Sequence, residues 1–470
     1  MTNSLSLFKK QEIIYPKRVS GRFRNLKWIA MIVCLAIYYL VPFIRWDRGP
    51  YMPDQAVLID MVHGRAYWFW IEIWPQEVYI LTGILICAAI GLFFITSLFG
   101  RVWCGYLCFQ TVWTDLFVWV ERLVQGDRTK RKKLREGPWT FEKIYKMAIT
   151  HFIWIIIAWW TAGSFVLYFN DAPTLVRSFF DGTVSNTVLG FIGGLTFMTY
   201  LMAGFAREQV CTYMCPYARF QSAMFDKDTL IIGYDTERGE PRGSHKKGDT
   251  WDNRGHCVDC SACVQVCPTG IDIRNGLQME CIACGLCVDA CDSVMTKLEL
   301  PKGLIRYDTE RRLDHKIKGK IGYAHFLRPR TIYYAVVLAV VGGVMLYALM
   351  TRSLLEINIM HDRNPLFVQL SNGDIRNGYD LKILNKSREP KIYALSLDGL
   401  PDAQITLSAV DEVTPDHLPV PANSVGQFKV FIQALRPAES PVSFKIIVTD
   451  PDTRTRTYEN TMFVSEKPHG

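Results

Sequence analysis

The chain has 470 residues, 49% of them hydrophobic and 13% aromatic, and carries a net charge of +8. That length leaves room for two or three domains, and the apolar residues gather in long runs, which excludes a single water-soluble globule. The 14 cysteines fall in close-spaced groups, the pattern of metal and redox ligands and not of a disulfide framework.

Residues 1–27 form a basic arm with seven Lys or Arg against one acid, Glu12. No small-residue cleavage site follows the first apolar run, so no cleavable signal peptide is expected. Runs long enough to cross a membrane cover roughly Trp28–Ile44, with Pro42 near its far end, then Val78–Phe99, Ile144–Phe169, Val188–Phe205 and Ile332–Met350. Residues 45–77 read as a loop in which Trp68, Trp70 and Trp74 form an interfacial aromatic belt. Residues 128–135 hold six basic side chains. Beside membrane spans such a run reads as a positive-inside anchor and not as a nucleic-acid surface. Lys316, Lys318, Lys320, Arg328 and Arg330 lead into the fifth span. The basic residues thus concentrate on the side that holds the N-terminus and the polar insert after the fourth span. The positive-inside rule makes that side the cytoplasm. Five spans then put the C-terminus outside, in the periplasm of a Gram-negative inner-membrane protein.

The polar insert carries the densest chemistry. Cys257, Cys260, Cys263 and Cys267 are spaced C-x-x-C-x-x-C-x-x-x-C and followed by Pro268; the run repeats at Cys281, Cys284, Cys287 and Cys291. This is the two-cluster bacterial ferredoxin pattern, in which three thiolates of a run wrap one cubane and the fourth reaches the other. One [4Fe–4S] cluster is therefore assigned to Cys257, Cys260, Cys263 and Cys291, the other to Cys281, Cys284, Cys287 and Cys267. Zinc is the competing guest of C-x-x-C pairs, but eight cysteines in two matching runs favour clusters. Asp292 stands where a proline would match Pro268; that proline shapes a turn and binds nothing.

A second set of cysteines lies just past two spans. C-G-Y-L-C from Cys104 to Cys108 and C-T-Y-M-C-P from Cys211 to Pro216 recur 107 residues apart, each after an arginine, Arg101 or Arg207. They read as an internal duplication of a span and its motif. On one helix, cysteines at i and i+4 share a face with Cβ atoms about 5–6 Å apart. Such a pair clamps one soft ion, Cu(I) or Zn, and two pairs side by side offer four thiolates. Four thiols merely packed between helices are the alternative; two echoing copies on the same face favour a metal or redox site. Pro216 places the second pair at a helix start, where a thiol pKa falls. Cys34 and Cys87 sit alone in apolar spans and read as packing residues. His63, His361 and Met214 are weaker candidates for accessory copper ligands, with ordinary roles favoured. His151 is the one histidine inside a predicted span, which argues against a bis-His haem. No Gly-rich loop opens a helix after a strand, so neither a nucleotide nor a flavin site is expected.

From residue 365 to 464 the pattern changes to alternation, in Leu366–Leu370, Tyr379–Leu384, Tyr393–Leu397, Ile405–Leu407, Phe428–Ile432, Phe444–Val448 and Met462–Val464. Seven short strands between turn residues predict an immunoglobulin-like sandwich without a cysteine pin and with a docking or structural role. The expected organisation is a basic cytoplasmic arm (1–27), a four-span membrane region with both C-x-x-x-C motifs (28–225), a cytoplasmic ferredoxin domain (226–330), a fifth span (331–351) and a periplasmic immunoglobulin-like domain (352–470). The fold class is a multi-domain membrane protein: an α-helical bundle with an inserted two-cluster ferredoxin and a C-terminal all-β sandwich.

These motifs resemble the FixG/RdxA/CcoG family, the accessory proteins of cbb(3)-type cytochrome c oxidase assembly. The resemblance runs over nearly the whole chain, from the basic arm through C-x-x-x-C-P at Cys211–Pro216 and the two cluster runs to R-N-G-Y-D-L-K-I-L-N-K in the sandwich. It implies a membrane-bound carrier that reduces Cu(II) to Cu(I) for copper delivery, an oxidoreductase acting on metal ions. Cys211, Cys215, Cys104 and Cys108 would hold the copper, with electrons passed through the clusters. The implied partners are membrane lipid, a cytoplasmic electron donor, and copper chaperones or oxidase assembly factors, with no nucleic acid. A quinol-linked subunit similar to the NapH-type membrane ferredoxins and a non-catalytic assembly scaffold are the alternatives.

Overall fold

The structure, a computed structural model, describes residues 13–245, 251–317, 327–408, 413–437 and 440–465. The expectations placed on Lys9, Lys10, Glu12, Lys318 and Lys320 lie outside the described residues. The chain divides into two compact units, one of Met1–Ile44 with Gln55–Leu346 and the other of Arg45–Asp54 with Tyr347–Gly470.

Among the described residues of the chain, five helices are long and apolar enough to cross a membrane: Arg22–Phe43, Pro75–Phe99, Phe141–Val166, Asn186–Ala206 and Pro329–Met350. Hydrocarbon offers no hydrogen bonds, so a spanning segment must satisfy its own backbone, as a helix does. The first unit runs through α1 (Arg22–Leu40), α2 (Val78–Phe99), α3 (Val102–Tyr106), α4 (Phe109–Gln125), α5 (Phe141–Val166), α6 (Asn186–Thr199) and α7 (Pro216–Met224). Pro42 sits in a short 3₁₀ turn, Val41–Phe43, that ends the first span. The fourth span continues beyond α6 as a π-helical turn, Tyr200–Ala206. Small residues let these helices close: Phe117, Val120, Trp154, Ala158 and Ala203 form one buried cluster, and a Cβ on Gly204 would lie 3.2 Å from the Trp154 ring.

Buried ion pairs fasten the spans to α4. Arg24 Nη1 meets Asp115 at 2.8 Å, with Lys27 Nζ 3.8 Å away. Glu121 takes Arg131 at 2.8 Å and Arg207 at 2.6 Å. Both carboxylates are buried, and a buried charge stripped of its partner is strongly destabilising.

Residues 45–77 are not a plain loop. Val57–Asp60 (β1), Arg65–Trp68 (β2) and Ile71–Ile73 (β3) form a small antiparallel sheet. Trp68 and Trp70 are exposed, but Trp74 is buried under the Arg65 guanidinium, 3.9 Å above its ring. The belt therefore loses Trp74 to a cation–π contact.

In the cysteine-rich insert, β4 (Leu230–Tyr234) pairs antiparallel with β5 (Ile305–Thr309), from Leu230↔Thr309 to Tyr234↔Ile305. This ribbon closes the insert at its base. Its core joins Ile232, Tyr234 and Ile305 to Cys257, Cys263 and Met295. Two helices carry cysteines, α8 (Ala262–Val266) and α9 (Leu286–Lys297), and the last span is α10 (Pro329–Met350).

The second unit is a sandwich of two antiparallel sheets. One has the order β10–β12–β8–β6, with β7 also paired to β8; the other is β11–β9–β13–β14. The strands are β6 (Leu355–His361), β7 (Val368–Gln369), β8 (Ile375–Asn385), β9 (Lys391–Asp398), β10 (Gln404–Leu407), β11 (Leu418–Val420), β12 (Ser424–Ala434), β13 (Val442–Thr449) and β14 (Arg456–Phe463). Alternate residues Tyr379, Leu381 and Ile383 of β8 face Phe444, Ile446 and Val448 of β13 in one core. The buried Tyr379 hydroxyl donates to Met462 O at 2.8 Å, the partner such a hydroxyl requires. β6 and β11 are additions to the seven expected strands.

Candidate functional site

The two cysteine runs fold alike. Asp259 (φ 53°) and Ser261 (φ 51°) flank Cys260, and Ala283 (φ 50°) and Gly285 (φ 75°) flank Cys284, all in the left-handed region. Successive changes of backbone hand curl a short loop into a concavity that suits anionic iron–sulfur groups. Each loop then enters a helix. Cys267 caps the end of α8, where Pro268 follows, and Cys291 lies within α9. With Asp292 in place of a proline, α9 runs on to Lys297, and the Asp292 carboxylate accepts the Gly303 N–H at 2.9 Å.

These loops enclose two cavities. Cys257, Cys260, Cys263 and Cys291 line one. Cys267, Cys281, Cys284 and Cys287 line the other, with Cys263 on its edge. Among the described residues, no three His, Cys, Asp or Glu converge closely enough to hold a single ion. Thiolates that each bind a different iron of a cubane stand farther apart than the ligands of one ion, so the spacing suits clusters. Burial pushes the Cys263 thiol up to about 11 and those of Cys281 and Cys291 up to about 12. Cys260 departs from the rest in being exposed.

The two C-x-x-x-C segments also share a geometry, but not that of one helix. Cys104 lies in α3 and Cys211 in a π-turn, Val210–Met214. Cys108 (φ −61°, ψ 128°) and Cys215 (φ −80°, ψ 111°) are extended and begin α4 and α7. The Cys108 N–H donates to Trp103 O at 3.0 Å and the Cys215 N–H to Val210 O at 2.8 Å, five residues back in each case. The same-face i, i+4 reading is thereby corrected, because the helix ends between the two cysteines of each pair. The duplication extends upstream: four residues before each first cysteine stand Gly100 (φ 59°, ψ −127°) and Arg207 (φ 40°, ψ −116°). Glycine takes this conformation freely. Arg207 is held in it, donating from Nε to Gly204 O at 2.7 Å and from Nη2 to Glu121 at 2.6 Å.

The four thiols face one another. The charge of a Cys211 thiolate would be opposed by Cys108, Cys104 and Cys215. Burial pushes Cys104 up to about 11 and Cys211 up to about 12, and raises Cys108 as well. Cys211 lies in the π-turn ahead of the helix start, and desolvation dominates there. The Cys104 thiol donates to Gln221 Oε1 at 3.4 Å. Arg101, itself buried, bridges this quartet to the insert, donating to Met279 O and Ala218 O. Its charge acts on Cys104, Cys281 and Cys211.

Contact with the cluster loops is direct. A Cβ on Gly105 would lie 2.7 Å from Ile282 O and 3.0 Å from Ala283 O, so only glycine fits there without displacement. Next to it, the buried Tyr106 hydroxyl donates to Cys284 O at 2.9 Å. Tyr307 donates to the neighbouring Ala283 O. In the second copy the matching Tyr213 is exposed, while Cys211 borders a small cavity with Pro268, Thr269 and Ile282. Arg101 was singled out as the arginine ahead of the motif, whereas Gly105, Tyr106 and Gln221 were not; the Gly-Tyr inside C-G-Y-L-C was the available signal. Met214 is exposed, His63 pairs with Asp60 at 2.6 Å, and His361 bonds Asn377 at 2.9 Å.

Three family models match this chain. One described as a 4Fe-4S dicluster domain covers residues 206–310, one described as a 4Fe-4S binding domain covers residues 80–130, and one described as the IG-like fold at the C-terminal of FixG covers residues 345–466. The nitrogen fixation protein FixG of Rhizobium meliloti is 44% identical over 96% of this chain and 92% of its own length. Protein RdxB of Cereibacter sphaeroides is 44% identical over 98% of each chain. Protein RdxA of the same organism is 45% identical over 91% of this chain and 90% of its own.

Proposed function

The chain belongs to the FixG/RdxA family of membrane-associated iron–sulfur electron-transfer proteins, and from that premise we propose that it reduces Cu(II) to Cu(I) for copper delivery during assembly of a cbb(3)-type cytochrome c oxidase. When bound, the two clusters supply one-electron carriage. The chain's residues supply the positions. Cys257, Cys260, Cys263 and Cys291 hold one cluster, and Cys267, Cys281, Cys284 and Cys287 hold the other. Cys104, Cys108, Cys211 and Cys215 hold the copper substrate two thiols at a time, since among the described residues no three of them converge on one ion. Thiolates are soft ligands and select Cu(I), so the quartet favours the reduced ion. Gly105 and Tyr106 keep the quartet against the loop Ile282–Cys284. That packing, a glycine pressed on the carbonyls of a cluster loop between two copper thiols, is the observation that carries the reading.

Electrons enter on the cytoplasmic side, the side of the basic residues. The same charge bias supports an inner-membrane chain with its C-terminal domain in the periplasm. Copper chaperones or oxidase assembly factors take the product. The test is anaerobic: the purified protein is reduced and given Cu(II), with cluster oxidation followed by EPR and Cu(I) by a chelating dye. Matching formation of both oxidised cluster and Cu(I), lost in Cys211→Ala/Cys215→Ala, is expected. Full copper reduction by that variant would sink the proposal.

A second reading has one observation behind it. The match to a 4Fe-4S binding domain at residues 80–130 covers Cys104 and Cys108 but neither ferredoxin run. The thiol quartet would then hold an iron–sulfur group. Iron in excess of about eight atoms per chain, the content of two [4Fe–4S] clusters, and lost in Cys104→Ala/Cys215→Ala, would favour it over copper.

A further inference from the structure

A cavity of about 370 Å³ lies where the end of α4, the first half of α5 and the π-turn after α6 come together. Its size falls within the range of small-molecule sites, about 300–1,000 Å³. His151, Trp154, Phe205, Arg207, Glu208 and Glu121 are among its lining residues. None of them serves the clusters or the thiol quartet.

The lining has a flat aromatic half and a polar half. The His151 and Phe205 rings are nearly parallel, with centroids 5.9 Å apart at 14°. Trp154 stands edge-on to His151, 5.2 Å away at 90°. The Tyr200 hydroxyl bonds His151 Nδ1 at 3.0 Å, which leaves Nε2 as the ring nitrogen for a ligand. On the polar half, Glu121 is already engaged by Arg131 and Arg207. Glu208 is held above the usual carboxylate range by its burial. Phe205, in the last turn of the fourth span, is 51% exposed, so the cavity borders the apolar surface of the spans. Arg207 and Glu208 also border the small cavity that reaches Cys211.

The two carboxyls of the lining, Glu121 and Glu208, are matched by Arg135 and Arg207, so no net positive charge calls for an anionic head group. An aromatic cage with an imidazole and a carboxyl, open to the lipid side, suits a neutral ring that donates hydroxyls. We propose that this cavity binds the head group of a membrane quinol, with its ring against His151, Trp154 and Phe205 and its hydroxyls on His151 and Glu208. Oxidation of the quinol breaks two O–H bonds and yields quinone, two protons and two electrons. Glu208 and His151 take the protons, as positioned bases. The two electrons reduce two Cu(II) to two Cu(I). That destination rests on the copper reading above; the binding site does not.

The experiment uses the full chain in detergent with a photoreactive azidoquinone, its adducts mapped by mass spectrometry. Adducts are expected at Met147–Trp154 and Gly204–Glu208, suppressed by excess decylubiquinol under anaerobic conditions and not by phosphatidylglycerol. Glu208→Gln and His151→Phe should each weaken the decylubiquinol competition about tenfold or more, the worth of one lost hydrogen bond to such a group. Adducts elsewhere, competition unchanged in both variants, or displacement by phosphatidylglycerol would overturn the proposal, the last by making this a lipid site. If a variant fails to fold, the wild-type adduct map decides alone. Cu(II) reduction by dithionite-reduced protein, with no quinol present, reports separately on the copper reading.

Discussion

Gly105 shows how one missing side chain sets the distance between two chemistries. With its Cβ position 2.7 Å from the Ile282 carbonyl, Gly105→Ala must push a cluster loop aside, at a cost of about 1–3 kcal/mol for overpacking. Iron retained per chain after gentle heating should fall in that variant. It should hold in Thr212→Ala, the matching position of the second copy, where Tyr213 alongside is exposed; equal iron in both variants would dissolve the distinction. The thiols make a pH prediction. Cys104, pushed up to about 11, and Cys211, pushed up to about 12, are protonated at neutral pH. Copper bound as thiolate must displace those protons, so affinity tightens as pH rises, by up to about two decades per pH unit for two protons released. Competition with a Cu(I) chelator from about pH 6 to about pH 8 measures the slope. A flat profile would mean that these two sulfurs are not the ligands.

Among the elements, α1 depends on a residue far from it in sequence. Its N-cap, Gly21, offers no side chain, and the Asp289 carboxylate accepts the Phe23 N–H at 3.2 Å and the Arg24 N–H at 2.7 Å instead. Asp289 lies in α9 between Cys287 and Cys291, so the first span starts on the cluster domain. Asp289→Ala should cost about 0.5–2 kcal/mol, the usual worth of a helix cap, read as faster proteolysis near Arg22; unchanged cleavage would deny the cap its role. This is also why the apolar run from Trp28 understates α1: hydropathy reports burial in lipid, and a cap supplied across the fold leaves no local mark. The second and fifth spans were legible because length and apolarity alone decide them. β6 was overlooked because L-E-I-N-I abuts a membrane span, and β11 because three residues around Pro419 carry no period. In the C-x-x-x-C pairs, spacing located the motif, but the helix break inside it depends on backbone closure that periodicity cannot report. The cavity around His151 was invisible for a related reason: its lining comes from five separate stretches of chain.

For the whole molecule, the charge bias predicts an orientation. The first 27 residues carry seven basic side chains against one acid, and residues 128–135 carry six, whereas residues 45–77 carry three basic and five acidic ones. Moving a Lys or Arg through hydrocarbon is costly, so loops rich in them stay on the cytoplasmic side. If all five helices fit to cross do so, the odd number predicts the chain after Met350 in the other compartment. Alkaline phosphatase, which folds only when exported, should therefore be inactive when fused after Arg135 or Arg242 and active when fused after Asp362. The outcome reaches back to the chemistry. If the Asp362 fusion were inactive while the Arg135 fusion was active, the cysteine runs would face the periplasm. If the expected pattern holds, copper held at Cys104, Cys108, Cys211 and Cys215 is reduced on the cytoplasmic side and must be handed to a carrier before it crosses the membrane.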